Sequence, residues 1–330
     1  ERSRGLGDVY KRQENIHICL AADNNYAPHA GVLVASILKH LPSDKKLNVH
    51  VLDGGISEQN KLYFGQLRRI GDFDVRYYPM NNDEFKNCPL TYLTVATYYR
   101  LKIGSILKNL ARVIYLDCDM VACGDLSELW HYDLQGKTIG AVEDPLALKN
   151  MRRLGIGEAY FYFNAGLLLI DLDKWRREKT QERLFDYLSS HPEQLKHQDQ
   201  DLLNVVLFQQ ALSLPLRFNS QYFPRAYSPQ RRQEYVVSLQ APLLIHYIMS
   251  DKPWRCDSTV FRRRFYIDAF KLTPWYSLHR GKYFFNMLGR IPAVLFKGLK
   301  YWYKHPVCFV KPKFWRKVKG ILRPLSELSA

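Results

Sequence analysis

Long apolar runs are missing from this 330-residue chain. No stretch approaches the roughly 18 consecutive apolar residues that a membrane span requires, and the N-terminus lacks the apolar core of a signal peptide. A domain held in the cytosol is the expectation. Cysteine is scarce as well: the six, Cys19, Cys88, Cys118, Cys123, Cys256 and Cys308, form no CxxC pair and no Cys/His spacing of a zinc site. They read as free thiols in a reducing cytoplasm. Acidic residues vanish from one region, since none lies between Asp268 and Glu327, where thirteen Lys and Arg run from Lys271 to Arg323. Most of the net charge of +16 therefore sits in a C-terminal tail. A field of that sign selects anionic partners: nucleic acid, anionic lipid or a phosphorylated substrate. Internal repeats and low-complexity linkers are absent before the tail.

What is present is enough apolar residue, 47%, for a substantial core in one large α/β domain or two small ones. Residues 1–13 match no element of the downstream pattern, and 8–13 (DVYKRQ) look like translated sequencing adaptor. They are set aside as a non-native leader. From Glu14 on, strand-like and helix-like stretches alternate. Strands are expected at 16–22 (IHICLAA), 49–52, 75–78, 112–116 (RVIYL) and 138–142. Helices are expected at 31–41, 57–70 and 94–107, the second opened by Ser57 and turning Leu62, Phe64, Leu67 and Ile70 inward. Repeated βαβ units predict an α/β fold with a parallel, doubly wound sheet. In open parallel sheets ligands bind beyond the carboxyl ends of the strands. Asp23, Asp117, Asp119, Glu143 and Asp144 follow such ends and are expected around one crevice.

Asp117-Cys118-Asp119 carries the sharpest chemistry. Two carboxylates two apart, where an apolar strand ends, can jointly face a divalent ion held against a diphosphate, and hard oxygens suit Mg²⁺ or Mn²⁺. Alone the pattern is weak: Asp171-Leu172-Asp173 and Asp199-Gln200-Asp201 also match, and a solvated loop explains any of them. His246, in LLIHYIMSDKPW, can add an imidazole, a ligand that suits Mn²⁺ better than Mg²⁺; a His after an apolar run is otherwise a core residue. Lys252 offers a cation to a phosphate oxygen, although a surface Lys needs no such role. Asp23, Asn25 and Tyr26 can hold a base and ribose or cap a turn. Phe163-Asn164-Ala165-Gly166 and residues 198–201 (QDQD) can bind sugar hydroxyls or cap helices.

AADNNYA (21–27), VLDGGIS (51–57), TYYRLKIG (97–104), VIYLDCDMV (113–121), YFNAGLLLIDLDKWR (162–176), HQDQDLLN (197–204) and HYIMSDKPW (246–254) together resemble glycosyltransferase family 8. The likeness is strongest to bacterial lipopolysaccharide and lipooligosaccharide galactosyl- and glucosyltransferases. It covers about 16–254 in the family's order. The resemblance implies a GT-A fold, Rossmann-like and mostly parallel, over 14–270, with UDP-hexose as donor, Mn²⁺ or else Mg²⁺ as cofactor, and retention of anomeric configuration. Asp117, Asp119 and His246 match the metal ligands. Asp23, Asn25 and Tyr26 match uridine and ribose contacts, Lys252 a diphosphate contact, and Lys102, Asn164, Asp199 and Gln200 positions around the donor sugar. Asp144 aligns approximately with an acidic residue near that sugar, within divergent flanks.

In this reading metal and Lys252 stabilise charge on the departing UDP. Gln200, a neutral amide, is a poor nucleophile, so front-face substitution is expected rather than double displacement. Segments 145–157 and 217–235, with Phe218, Tyr222, Phe223 and Tyr227, are expected rim loops that select the acceptor. The tail, 271–330, interleaves cations with aromatic residues and carries Leu288, Ile291, Leu295, Leu299 and Trp302 at helical spacing. That suits an interfacial helix on anionic lipid at the inner face of a bacterial membrane, where a lipid-linked oligosaccharide is the expected acceptor; a helix packed on the catalytic domain is the alternative. Other readings are a UDP-sugar hydrolase, a nucleotide-sugar-binding protein without transfer, and a basic nucleic-acid-binding protein, which would leave the ordered motifs without a purpose. A sugar nucleotidyltransferase would show a glycine-rich phosphate loop after the first strand, and none follows it.

Overall fold

The computed structural model describes residues 13–278 apart from 87, 91–93, 158, 224–230, 249, 256–257 and 259. The expectations for residues 1–12 and 279–330 lie outside the described residues. β1 (Glu14–Ala22) starts the sheet, with Ile16, Ile18, Leu20 and Ala22 buried on one face. That face packs against helix Ala27–His40, which opens with Pro28 in its first turn. β2 (Lys45–Asp53), β3 (Phe73–Pro79) and β4 (Arg112–Leu116) are parallel to β1. β6 (Ile139–Glu143), β7 (Phe163–Asp171) and β8 (Ala211–Ser213) complete seven strands in the order β3-β2-β1-β4-β7-β6-β8. β5 (Met120–Ala122), β10 (Leu244–His246) and β9 (Ser220–Gln221) form a second, three-stranded sheet.

The order reverses between β1 and β4, which is the switch point where open α/β sheets bind ligands. One strand departs from the expected parallel sheet: β7 runs antiparallel to both β4 and β6. Its first residues therefore lie at the carboxyl end of β4, and the Asp117 backbone N–H donates to the Gly166 carbonyl over 2.8 Å. The register between β6 and β7 also shifts, from Ala141↔Leu168 to Val142↔Asn164. Such an irregularity re-aims the residues it skips, here 165–167.

Two apolar layers cover the faces. Under helix Ala27–His40 and helix Glu58–Gly65 lies a cluster that includes Phe64, Leu67 and Trp275; under helix Gln198–Leu207 lies one that includes Trp175, Leu202 and Leu203. Trp275 is 1% exposed, and its indole N–H donates to Asn60 Oδ1 over 2.8 Å. A Cβ on Gly31 would come within 2.2 Å of its ring, so glycine admits it. The packed body thus continues past residue 270, where the tail was expected to begin.

Two expected helices differ in form. Residues 57–70 divide into helix Glu58–Gly65 and the 3₁₀ turn Gln66–Arg69, and Leu62, expected inward, is 63% exposed. It stands two residues from Phe64 and so on the opposite side of a 3.6-residue helix. Most of 94–107 is the 3₁₀ helix Val95–Lys102, closed by one α turn, Ile103–Ile106.

Candidate active site

β4 ends at Leu116, and the next three residues turn into β5, placing Asp117 and Asp119 at the switch point. β10 pairs with β5 through Met120↔His246, which delivers His246 from far along the chain. Its Nε2 lies 3.0 Å from Asp119 Oδ1 and 4.0 Å from Asp117 Oδ2. One ligand atom from each of the three residues falls within 4.8 Å of the other two. Lys252 Nζ donates to Asp119 Oδ2 and to the Tyr247 carbonyl, both over 2.6 Å.

A chain of hydrogen bonds fixes the state of the imidazole. The Gly166 backbone N–H donates to Asn164 Oδ1 over 3.1 Å, so that atom is an oxygen. Asn219 Nδ2 donates to the same oxygen over 2.9 Å, which leaves Asn219 Oδ1 facing His246 Nδ1 at 3.0 Å. Nδ1 must then carry the proton. In the neutral ring Nε2 turns its lone pair toward the two aspartates, the tautomer a metal-ligating histidine needs.

The residues present fit a divalent ion. Asp119 Oδ1 is buried and accepts no hydrogen bond, while facing Nε2 at 3.0 Å. With the ring neutral, two lone-pair-bearing atoms at that separation repel unless a cation lies between them, and adjacent ligands of a hard ion with bonds of about 2.1 Å are spaced about 3 Å apart. A Cβ on Gly166 would meet His246 Cε1 at 2.3 Å and Asp117 Oδ2 at 2.8 Å, so a side chain there would close the cradle. Burial raises the Asp119 carboxyl, but His246 in its protonated form and the Lys252 charge outweigh it and hold the group well below the usual carboxylate range.

Arg100 supports the cluster from beneath. It is buried, donates from Nη2 to Asp117 Oδ1 over 2.7 Å, and its Nε lies 3.2 Å from Asp199 Oδ2. Its Nη1 donates to the Ala165 carbonyl over 2.6 Å, and its guanidinium lies over the Tyr115 ring at 4.3 Å. Burial works against the Arg100 charge, yet the Asp117 and Asp199 carboxylates raise its pKa further. Asp199 is raised by burial in spite of Arg100 and of the Thr97 hydroxyl that donates to it.

On the side away from β1 stands a second polar group. Gln200 Oε1 accepts from Ala165 N and from Asn164 Nδ2, each over 3.2 Å. Its Nε2 donates to Asp144 Oδ2 over 3.1 Å and lies 3.2 Å from the Tyr162 hydroxyl. Asp144, Asn164 and Gln200, expected together near one sugar, are thus hydrogen-bonded to one another.

On the β1 side the cleft is lined by Asp23, Tyr26, Thr97, Arg100, Asp119 and Lys252, among others. Asp23 Oδ1 accepts from the backbone N–H groups of Asn25 and Tyr26 over 3.0 and 2.9 Å, which caps the turn into the helix. Burial, then the Asp119 charge, push the Tyr26 hydroxyl up to about 12. The Asn25 side chain is exposed.

Other expected residues have partners of their own. Lys102 is ion-paired with Glu84, and Glu143 with Arg231. Phe218, expected on the rim, is buried in the core with its ring edge-on to Tyr132; the turn Leu216–Asn219 points it inward. Tyr222 and Phe223 leave β9 at the surface, and Tyr227 lies outside the described residues. The rival Asp-x-Asp motifs have structural duties: Asp171 caps helix Leu172–Arg177, Asp173 pairs with Arg176, and Asp201 accepts from Arg153, Tyr162 and the His197 N–H. Sequence reasoning missed Arg100, whose signal was one cation inside the aromatic stretch TYYRLKIG, and Asn219, which carried none.

A mostly parallel sheet with an Asp-Asp-His cluster at its switch point is the architecture of a GT-A glycosyltransferase, and a solved structure bears this out. The galactosyltransferase LgtC, in complex with donor and acceptor sugar analogs, superposes with a TM-score of 0.71 at 28% identity, over 78% of this chain and 96% of that one. The sequence profile described as Glycosyl transferase family 8 matches residues 17–258, and the chain belongs to that family. General stress protein A of Bacillus subtilis is 28% identical over 275 residues, 80% of this chain and 96% of that protein. Lipopolysaccharide 1,2-glucosyltransferase of Escherichia coli K12 is 30% identical over 272 residues, 79% of each chain.

Proposed function

We propose that the protein transfers galactose or glucose from a UDP-hexose to a lipopolysaccharide- or lipooligosaccharide-type glycan, with retention and with Mn²⁺ as the preferred ion. The observation that carries this reading is the buried Asp119 Oδ1, which accepts no hydrogen bond, converging with Asp117 and His246 beside Lys252 at the switch point. Both hexoses stay in the proposal because the similar proteins include a glucosyltransferase by name and a galactosyltransferase by name.

A divalent ion held by Asp117, Asp119 and His246 would supply Lewis-acid stabilisation of the leaving diphosphate. Lys252 adds a positive charge on the same side, and Asp23 and Tyr26 flank the space for the nucleoside. Asp144, Asn164 and Gln200 face the sugar. The C1–O bond to UDP breaks as the acceptor oxygen bonds C1 on the same face, and the acceptor proton passes to the departing phosphate oxygen. Gln200 supports this route over double displacement: it is a neutral amide with both ends hydrogen-bonded. Asp199 is occupied by Arg100 and Thr97. Trapping a glycosyl adduct on either residue would overturn the front-face route.

The acceptor is proposed to be lipid-linked and met at the inner face of the cytoplasmic membrane, with the basic tail on anionic lipid and nucleic acid no partner. The test is UDP release from UDP-galactose and UDP-glucose, with and without Mn²⁺, on wild type and Asp119→Asn, in the presence of a lipooligosaccharide mixture. The expected result is metal-dependent turnover with one donor, reduced at least about a thousandfold in the variant. UDP release without growth of any acceptor would make it a hydrolase.

A further inference from the structure

Helix Arg263–Phe270 buries Arg263, Tyr266, Ile267 and Ala269 and turns its other side to solvent. There Phe265 is 41% exposed, and Phe261, just before the helix, is 36% exposed. Tyr222, directly after β9, is 49% exposed and stacks on Phe261 with centroids 4.3 Å apart. The Arg262 guanidinium lies 5.3 Å from the Phe261 ring centre and 5.5 Å from that of Phe265. Three aromatic rings and a cation thus form one continuous outer surface. Exposed apolar residues scattered singly need no explanation, whereas a joined set marks a contact face.

Charge indicates what covers it. Lys271, exposed at the end of the same helix, begins the run of thirteen Lys and Arg that meets no acidic residue before Glu327. Aromatic rings enter the boundary between headgroups and acyl chains while Arg and Lys stay with anionic headgroups. No helix among the described residues is long and apolar enough to cross a membrane, so the contact would be superficial.

The face also borders the cleft. Tyr222 follows Gln221, which pairs in register with His246. Behind Phe265, the Tyr266 hydroxyl lies 2.7 Å from His29 Nδ1, and the His29 ring stacks at 3.8 Å on Trp254, which Tyr26 meets edge-on. We propose that Tyr222, Phe261, Arg262 and Phe265 form a docking face for an anionic bilayer, seating the rim of the cleft where a lipid-linked acceptor presents its glycan. The inference rests on the lipid-linked acceptor proposed above.

The experiment is co-sedimentation of the full chain with vesicles of phosphatidylcholine alone or with added phosphatidylglycerol, comparing wild type, Phe261→Ser/Phe265→Ser and Phe261→Trp/Phe265→Trp. Turnover of the UDP-sugar without vesicles is measured in parallel. Binding that requires the anionic lipid, falls at least about tenfold in the serine variant and is kept by the tryptophan variant supports the face. Equal binding by wild type and serine variant would overturn it and leave the tail as the sole attachment. A lowered melting temperature of the serine variant with unchanged vesicle binding would overturn it too, since the rings would then be covered by the chain itself. Vesicle binding with this pattern but no turnover in any protein would keep the face and remove the transferase reading instead.

Discussion

Gly166 and His246 approach so closely that a single added carbon on Gly166 would lie 2.3 Å from the imidazole Cε1. Gly166→Ala must push the ring, or the Asp117 carboxylate 2.8 Å from the same point, out of place. Titration of Mn²⁺ in the presence of UDP is expected to show affinity lowered by about 10–100-fold, the usual effect of misdirecting a ligand. Unchanged affinity would show that the cluster holds no ion.

Arg100 joins Asp117 to Asp199 under the site. Replacing it with Met leaves buried carboxylate uncompensated and should cost about 3–5 kcal/mol in urea unfolding. Asp199→Asn in the same chain is expected to recover part of that loss. Arg100→Lys keeps the charge but loses the fork, and should fall between the two. Additive single and double variants would refute the coupling.

On the sheet face away from helix Ala27–His40, His17 Nδ1 lies 3.1 Å from His50 Nε2, and His50 Nδ1 lies 3.0 Å from the Tyr78 hydroxyl. Burial, then the charges of His17 and Arg76, push His50 down from 6.5 to about 4. The unfolded chain takes up a proton at His50 near 6.5 and the folded one only near 4, so this stability is complete above 6.5 and drains as pH falls toward 4. The loss should approach about 3 kcal/mol across the window, and His50→Gln should flatten it. Urea midpoints at pH 7 and pH 5 give the comparison.

Trp275 fills the space over Gly31, so the catalytic body should not survive truncation at residue 270 intact. Trp275→Ala is expected to cost about 3–5 kcal/mol. A chain ending at 270 should melt well below one ending at 278, and equal melting temperatures would return the boundary to 270.

The expected β4 coincides with the observed strand, and β1 and β2 were located because apolar runs ending in Asp have few other readings. Direction was not legible. β7 was not among the expected strands, and FNAGLLLID is equally apolar read either way, so its reversal was hidden, and with it the reason that Asn164 and Gly166 abut the end of β4. The three Asp-x-Asp motifs were likewise indistinguishable as strings. What separates Asp117 from Asp171 and Asp199 is that its strand ends at the switch point beside Asp119 and His246, whereas Asp171 caps a helix and Asp199 lies in the first turn of one. Those distinctions depend on long-range packing rather than local spacing. Arg100 and Asn219 act through partners distant in sequence, and the 3₁₀ form of Val95–Lys102 has no periodic signature separate from that of an α-helix.

The pairing of β10 with β5 also sets an order of assembly. Asp117 and Asp119 leave the ribosome early, but the imidazole and the Asn219 that orients it arrive only with the closing strands, and contacts of such sequence separation form late. A prematurely ended chain would carry both aspartates and no third ligand. Under the proposed function, competence to engage the donor is thereby tied to completion of the domain.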